Sequence, residues 1–190
     1  RGVRRVNEPI ITLRGEKVGL GPIRKDLIPL YAKWWNDPKI TMPLAGHVWP
    51  STEKDQEEWY EKYAVRGDGS TVQFLGYDLH TGRAIGIHTL FQINYRHQNA
   101  WVSGFIGEKD YWGRGYSVEA GNLLAGYAFG PCGLYHLTAG IHADNRPSLH
   151  AAQEIGFRII GSQRKAIRKN GEYVDVILLD LLADEWRASQ

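Results

Sequence analysis

Apolar residues recur along this chain with two periods, near two and near three to four, and the changes between them mark out the elements. Residues 15–23 (GEKVGLGPI) read as a short first strand. Residues 24–38 (RKDLIPLYAKWWNDP) put Leu27, Leu30, Tyr31, Trp34 and Trp35 on one helical face, and Asp37-Pro38 stops it. Residues 39–50 (KITMPLAGHVWP) read as irregular, apolar and aromatic. Residues 51–65 open with Ser51 or Thr52 as a cap, carry acids in the first turn, and place Trp59, Tyr60 and Tyr63 later.

Alternating stretches at 70–79 and 82–93 predict a hairpin turning at His80-Thr81-Gly82, and 98–107 (QNAWVSGFIG) predict the next strand. A helix follows, with Tyr116, Ala120, Leu123, Leu124 and Tyr127 on one face. Residues 134–143 are a strand with Leu137, Ala139 and Ile141 on one side. Residues 144–157 are a helix capped by Asp144 or Asn145, with Pro147 in its first turn and Gly156 at its end. Residues 156–182 are a long hairpin turning at Asn170-Gly171, the type I′ signal. A strand, a helix and a strand around residues 98–143 imply one parallel pair in a mostly antiparallel sheet.

The turn before the 116–127 helix reads Trp112-Gly113-Arg114-Gly115-Tyr116-Ser117. A helix start offers unpaired N–H groups and the positive end of its dipole, and glycines let backbone approach a ligand. Arg114 adds a cation. The stretch suits a phosphate or pyrophosphate, or it is a plain tight turn with a solvated arginine. A dinucleotide fingerprint is excluded, because Val118 stands where its third glycine belongs. No Gly-Lys-Ser/Thr tripeptide makes a P-loop.

Composition narrows the classes further. A net charge of +2 is too mild to argue for nucleic acid, and the basic segments RGVRR and RKAIRKNG read as solvated. The single cysteine, Cys132, excludes a disulfide framework and a multi-cysteine metal site. No run approaches the ~18–20 apolar residues of a membrane span, and no charged-then-apolar leader pattern opens the sequence. Cytoplasm is the expected compartment, with no metal, membrane or nucleic-acid partner.

Three segments together carry a resemblance: the WGRGYS turn, the helix running from Asn145 to Gly156-Phe157, and Asn170-Gly171-x-Tyr173-x-Asp175 between the last two strands. In this order and spacing they resemble the GNAT superfamily of acyl-CoA N-acyltransferases, in particular its RimJ/RimL-like group, from about Gly15 to Trp186. Gly115 matches the required glycine of the family's pyrophosphate motif; Trp112 and Ser117 are substitutions within it. The resemblance implies an α/β fold of the α+β kind. Its mixed, mostly antiparallel sheet has about seven strands, a splayed parallel pair and about four flanking helices. Residues 15–186 would form one domain between short tails at 1–14 and 187–190.

The resemblance also implies an acetyltransferase using acetyl-CoA, or another acyl-CoA, as cosubstrate. The acceptor would be an amine-bearing small molecule or a peptide N-terminus, and the enzyme a monomer or homodimer. Phe105, Ile106 and Gly107 would end the strand that pairs with pantetheine, and a free N–H at Ile106 or Gly107 would polarise the thioester carbonyl. Trp112, Gly113, Arg114, Gly115, Tyr116 and Ser117 would hold the pyrophosphate, and Asn145 the pantetheine. The tyrosine that protonates the leaving thiolate in many relatives is Ala152 here. Ser148 matches a serine assigned that role in RimL-like enzymes, and otherwise reads as a first-turn serine bonding backbone.

The general base stays open among His88, Glu108 and His142. Each has a plainer reading: a core histidine, a solvated loop residue, a residue beside a cap. Glu119 reads as a helix-dipole partner and Asp175 as structural. An α-amine near pKa ~8 needs such a base less than a lysine-type amine near ~10.4. Tyr31, Trp34, Trp35 and Trp59 read mainly as core, while His47 and Trp49 are the candidate substrate contacts. Two other classes compete: a non-catalytic acyl-CoA-binding domain, and a ribosome- or RNA-associated module.

Overall fold

A computed structural model describes residues 8–45, 49–67 and 69–189. Among them, eight strands form one sheet: β1 Leu13–Arg14, β2 Val18–Gly21, β3 Val72–Asp78, β4 Ala84–Asn94, β5 Asn99–Ile106, β6 His136–His142, β7 Arg158–Lys169 and β8 Glu172–Leu182. Their spatial order is β1-β2-β3-β4-β5-β6-β8-β7. Only β5 and β6 run parallel; every other neighbouring pair is antiparallel. The parallel ladder covers Asn99↔His136, Ala100↔Leu137 and Trp101↔Thr138, although β5 continues to Ile106 and β6 to His142. The two strands therefore part over their C-terminal halves, as the resemblance implies.

Two apolar layers sandwich the sheet. On one face, α4 (Tyr116–Phe129) and α5 (Arg146–Ile155) pack through Ala120, Leu124, Leu149 and Ile155 against Leu20, Ile85, Leu137 and Leu179. On the other, α1 (Ile28–Trp35) packs Tyr31 and Trp34 against Leu75, Tyr77 and Ile87. α2 (Pro38–Ala45) and α3 (Glu53–Trp59) complete this second layer, and α2 lies across β5 and β6 where they part. No helix among the described residues is long and apolar enough to cross a membrane.

Local chemistry explains most boundaries. Thr52 and Asp55 form a reciprocal capping box at α3. Asn145 caps α5, and Gly156 ends it at φ 112°. Asn170 and Gly171 both have positive φ, 49° and 86°, as a type I′ turn requires. Residues 38–45, expected to be irregular, are helical. Asp37 does not only stop α1: its Oδ1 accepts the Lys39 N–H at 3.0 Å, and Pro38 supplies a preset first turn. A further helix, α6 (Ala183–Ala188), docks on α4 through Trp186, whose Nε1 donates to Asn122 Oδ1 at 3.0 Å. These two helices, with the two-residue strand β1, raise the expected seven strands and four helices to eight and six among the described residues.

Glu108 departs most from expectation. Its carboxylate is 5% exposed, not solvated. It accepts from Lys33 Nζ at 2.7 Å, from Trp34 Nε1 at 2.8 Å and from the Arg83 guanidinium. Arg83 also donates to Asp110 at 2.8 Å, and Lys109 pairs with Asp37. The segment leaving β5 is thereby tied to α1 and to the β3–β4 turn. Gly107 sits under Trp34, whose indole occupies the space a Cβ would need. Burial pushes the Glu108 carboxyl up, but the bonds from Lys33 and Trp34 and the charges of Lys33 and Arg83 bring it net below its ordinary value.

A carboxyl lowered on folding stabilises the fold above its unfolded pKa of about 4.3, and that contribution is lost as pH falls through the folded value. Glu108→Gln should therefore cost about 1–2 kcal/mol at pH 7, near the low end for charged hydrogen bonds because Lys33 and Arg83 are half-exposed. Urea midpoints of variant and wild type should converge as pH drops below about 4. A difference that stays constant with pH would show that packing, not charge, carries the effect.

Candidate active site

β5 leads through a short turn, Lys109–Tyr111, into the glycine loop and α4. Gly113 and Gly115 have φ of 68° and 77°, the left-handed region that side chains disfavour. Gly115 is the N-cap and supplies no side-chain cap, so the first-turn N–H groups of α4 meet no capping side chain. Arg114 lies over the rings of Tyr111 and Tyr116, 5.8 Å from each centroid. Tyr111 donates to Asp78 Oδ2 at 3.0 Å, which anchors the loop to the end of β3. Tyr116 is buried beneath the loop, whereas Trp112, Gly113, Arg114, Gly115 and Ser117 are exposed.

Lys17, which no local pattern marks out, joins this loop from the β1–β2 turn. Its Nζ donates to Arg114 O at 2.9 Å and lies 5.2 Å from the Tyr116 ring centroid. Glu119 does more than complement a dipole: Oε1 accepts the Lys17 and Val18 N–H groups at 2.9 and 3.0 Å, stitching β2 to α4. Asp175 is structural, accepting the Lys165 N–H at 2.7 Å across the last hairpin. Cys132 is a half-buried thiol packed against the main core.

At the end of β5 the two amides left open by the sequence separate. Gly107 N donates to Ile85 O at 2.7 Å, and Glu108 N to the same oxygen at 3.3 Å. Gly107 is therefore not a free donor, because it continues the β4 ladder. Donors along a strand alternate sides, so the Ile106 N–H points away from β4, towards the opening beside β6. The Ile106 carbonyl points the same way, and the Trp112 indole donates to it at 2.7 Å. Phe105 turns into the second layer, edge-on to Trp34 and Trp35 at 5.9 and 6.0 Å.

Across the opening, Asn145 Oδ1 accepts the Ser148 N–H at 3.3 Å and so serves as a cap. The Ser148 side chain is half-buried, and among the described residues no acceptor for its hydroxyl is found. Ala152, one turn on, is buried in the core. His142 closes β6; it is 5% exposed, and its Nδ1 has no partner. Burial and Lys169 lower its pKa against an opposing pull from Asp144. His88 is also buried, its ring lying against Gly76 and Gly104 of the flanking strands. Burial pushes its pKa down to about 4.

In the α1–α3 layer, Tyr31 and Trp34 are core, as expected, and Trp59 packs edge-on against Tyr31 at 5.7 Å. Trp49 is 77% exposed. His47 lies outside the described residues. The tertiary partners missed by sequence reasoning, Lys17, Lys33 and Arg83, meet the site from 97, 75 and 25 residues away. No spacing rule reaches that far.

Comparison with known proteins agrees with this fold. The family model described as an acetyltransferase (GNAT) domain matches residues 17–158. The N-acetyltransferase p20 of Bacillus licheniformis is 23% identical over 177 residues, covering 92% of this chain and 98% of that protein. The spermidine N-acetyltransferase of Vibrio cholerae, solved with CoA and spermine, superposes with a TM-score of 0.83 at 21% identity. It covers 91% of this chain and 99% of its own. RimJ of Mycobacterium smegmatis, solved with CoA-disulfide, gives 0.77 at 19% identity, over 88% of this chain and 83% of that one. The matched region runs from the β1–β2 turn to the first residue of β7, and so takes in both parting strands and the helix that follows each. The chain belongs to the GNAT family of acetyltransferases, enzymes that move an acetyl group from acetyl-CoA to an amine.

Proposed function

We propose that this chain acetylates the primary amine of a peptide N-terminus or a small molecule by direct attack on the thioester in a ternary complex. The observation that carries this reading is the Ile106 N–H. It faces the opening between β5 and β6, and the chain continues from there through the glycine loop to the uncapped start of α4. Acetyl-CoA supplies the activated acyl group when bound. The amides from Gly113 to Ser117 hold its pyrophosphate, assisted by Arg114 and Lys17; a charge-assisted hydrogen bond contributes roughly 1.5–3 kcal/mol. Asn145, with Oδ1 used as a cap, has its side-chain N–H groups to offer the pantetheine. The Ile106 N–H stabilises negative charge on the carbonyl oxygen, and Trp112 neutralises the Ile106 carbonyl that would otherwise oppose it. Ser148 protonates the leaving thiolate.

Two features favour a low-pKa acceptor over a polyamine. β5 carries no charged side chain, and Glu108, the acid nearest its end, is already saturated by Lys33, Trp34 and Arg83. Thiol release from acetyl-CoA should be fastest with peptide N-termini or a weakly basic small amine, slower with spermidine. Fastest turnover with spermidine would reverse that preference, and no turnover with any amine would support a purely binding domain.

Gly115→Val should weaken CoA binding more than ~10-fold in calorimetry, while Gly115→Asn, which tolerates the left-handed backbone, should weaken it less. Arg114→Ala should have a smaller effect than Gly115→Val, because the charge is exposed and screened. Unchanged affinity in a folded Gly115→Val protein would remove the pyrophosphate assignment.

Ser148→Ala should lower turnover by up to ~10²-fold, the lower end for general acids, since a thiol of pKa about 8.5 is a fair leaving group unaided. CoA affinity should hardly change. Ala152→Tyr should not restore the rate, because Ala152 is buried and a tyrosine would overpack the core by about 1–3 kcal/mol. Full turnover in Ser148→Ala would reduce the serine to a helix-start residue.

A further inference from the structure

Acetyl transfer releases a proton from the attacking amine, and none of the groups assigned above receives it. We infer that His142 is the general base, placed across the opening from the Ile106 N–H and on the sheet face opposite Ser148. The inference rests on the acetyl-transfer reading and adds the residue that activates the acceptor.

Register places it. The β5–β6 ladder pairs Asn99 with His136, so continuing the same offset brings Phe105 level with His142. The strands have parted by then, which sets His142 and Ile106 on opposite banks of one gap. Period-two alternation sets the face: Leu137, Ala139 and Ile141 pack into the α4–α5 layer, so His142 faces the layer of α1 and α2. Ser148 is on α5, in the other layer. The group that protonates sulfur and the group that deprotonates nitrogen thus lie on the two sides of the sheet from which thioester and amine arrive.

The side chain is held for that task. Its carbonyl accepts the Asn145 N–H at 2.8 Å, and the next residue, Ala143, donates to Asp175 O at 2.9 Å. A buried ring nitrogen without a partner is costly unless a bound group satisfies it. His142 Nδ1 and His88 Nε2 are both such atoms, but His88 lies on β4 between paired strands, whereas His142 borders the opening, where an amine N–H would satisfy it.

The charged groups around the imidazole are few. Asp144 and Lys169 pair with each other at 2.8 Å. Lys39 is the one charged residue of α2, and it is exposed. β5 carries none, and Val176 faces His142 from β8. The imidazole is therefore neutral near pH 7 and able to accept a proton.

The other two candidates fail on geometry. His88 lies in the α4-side layer, its ring enclosed by Gly76 and Gly104. Glu108 faces two cations and an indole that occupy its oxygens. In the resulting step the amine nitrogen bonds to the carbonyl carbon and its proton passes to His142. The carbonyl pair collapses back as the C–S bond breaks, and the thiolate takes a proton from Ser148. His142 then releases its proton to solvent, and Ser148 recovers one.

The test uses the full chain, acetyl-CoA and the amine turned over fastest among peptide N-termini, spermidine and amino-modified small molecules. His142→Gln, which preserves packing, and His142→Ala, which leaves a cavity, are compared with wild type. Both should lose at least ~10²-fold in kcat/KM for the amine, with CoA affinity unchanged by calorimetry. Exogenous imidazole should restore part of the rate to His142→Ala only. The acid limb of the wild-type kcat/KM profile, lying below the ordinary imidazole value of about 6.5, should vanish in His142→Gln.

Full turnover in either variant, or an acid limb that persists in His142→Gln, overturns the role of His142 while leaving acetyl transfer intact. Loss of CoA binding in step with activity makes the residue structural. A wild-type protein that turns over none of the amines removes the acetyl-transfer reading itself, and this inference with it.

Discussion

β5 and β6 hydrogen-bond over three residue pairs and then part, and the site is arranged around the place where they do. Each strand is drawn outward by a stronger attachment. β5 stays in register with β4 as far as Gly86↔Ile106, and β6 pairs with β8 along its whole length, from His136↔Leu182 to His142↔Val176. Buried backbone donors and acceptors must be satisfied, so an opening in the middle of a sheet persists only if its inward-facing groups find partners. The Trp112 indole takes the Ile106 carbonyl. The Ile106 N–H beside it faces the same opening.

The parting needs reinforcement at its mouth, and charge provides it. Glu108, Asp110 and Asp37 with Lys33, Arg83 and Lys109 bind the segment after β5 to α1, to the α1–α2 junction and to the β3–β4 turn. A buried carboxylate is costly alone and tolerable when its oxygens are all engaged. Here the engagement joins α1 to the strand that carries the Ile106 amide. Lys17 and Glu119 do the same for the other end of the loop, holding β2 against the first turn of α4.

Much of the fold was legible because its causes are local. Period-two and helical spacing located the major strands and helices. Glycine at positive φ marked the loop before α4 and the end of α5, and Asn170-Gly171 marked the hairpin. The failures share one origin. Residues 38–45 set only Ile40 and Leu44 at helical spacing and contain Pro43, so their helix depends on the Asp37 cap and on packing across β5 and β6. Glu108 sits between two turns and looks solvated until α1 folds over it.

By itself the sequence determined the order of elements, the parallel pair within an antiparallel sheet, and the anion-suited turn at Gly113–Gly115, because backbone dihedral preference and apolar period act within a few residues. It also named Ile106, Ser148 and His142 among its candidates. Only the tertiary structure decided between Ile106 and Gly107, since which amide is free depends on the Ile85 carbonyl of the neighbouring strand. Likewise only the fold sets Glu108 among its cations, His88 between flanking strands and His142 beside the opening. A side chain's solvation, charge and reach are set by neighbours distant along the chain, and sequence spacing carries no information about them.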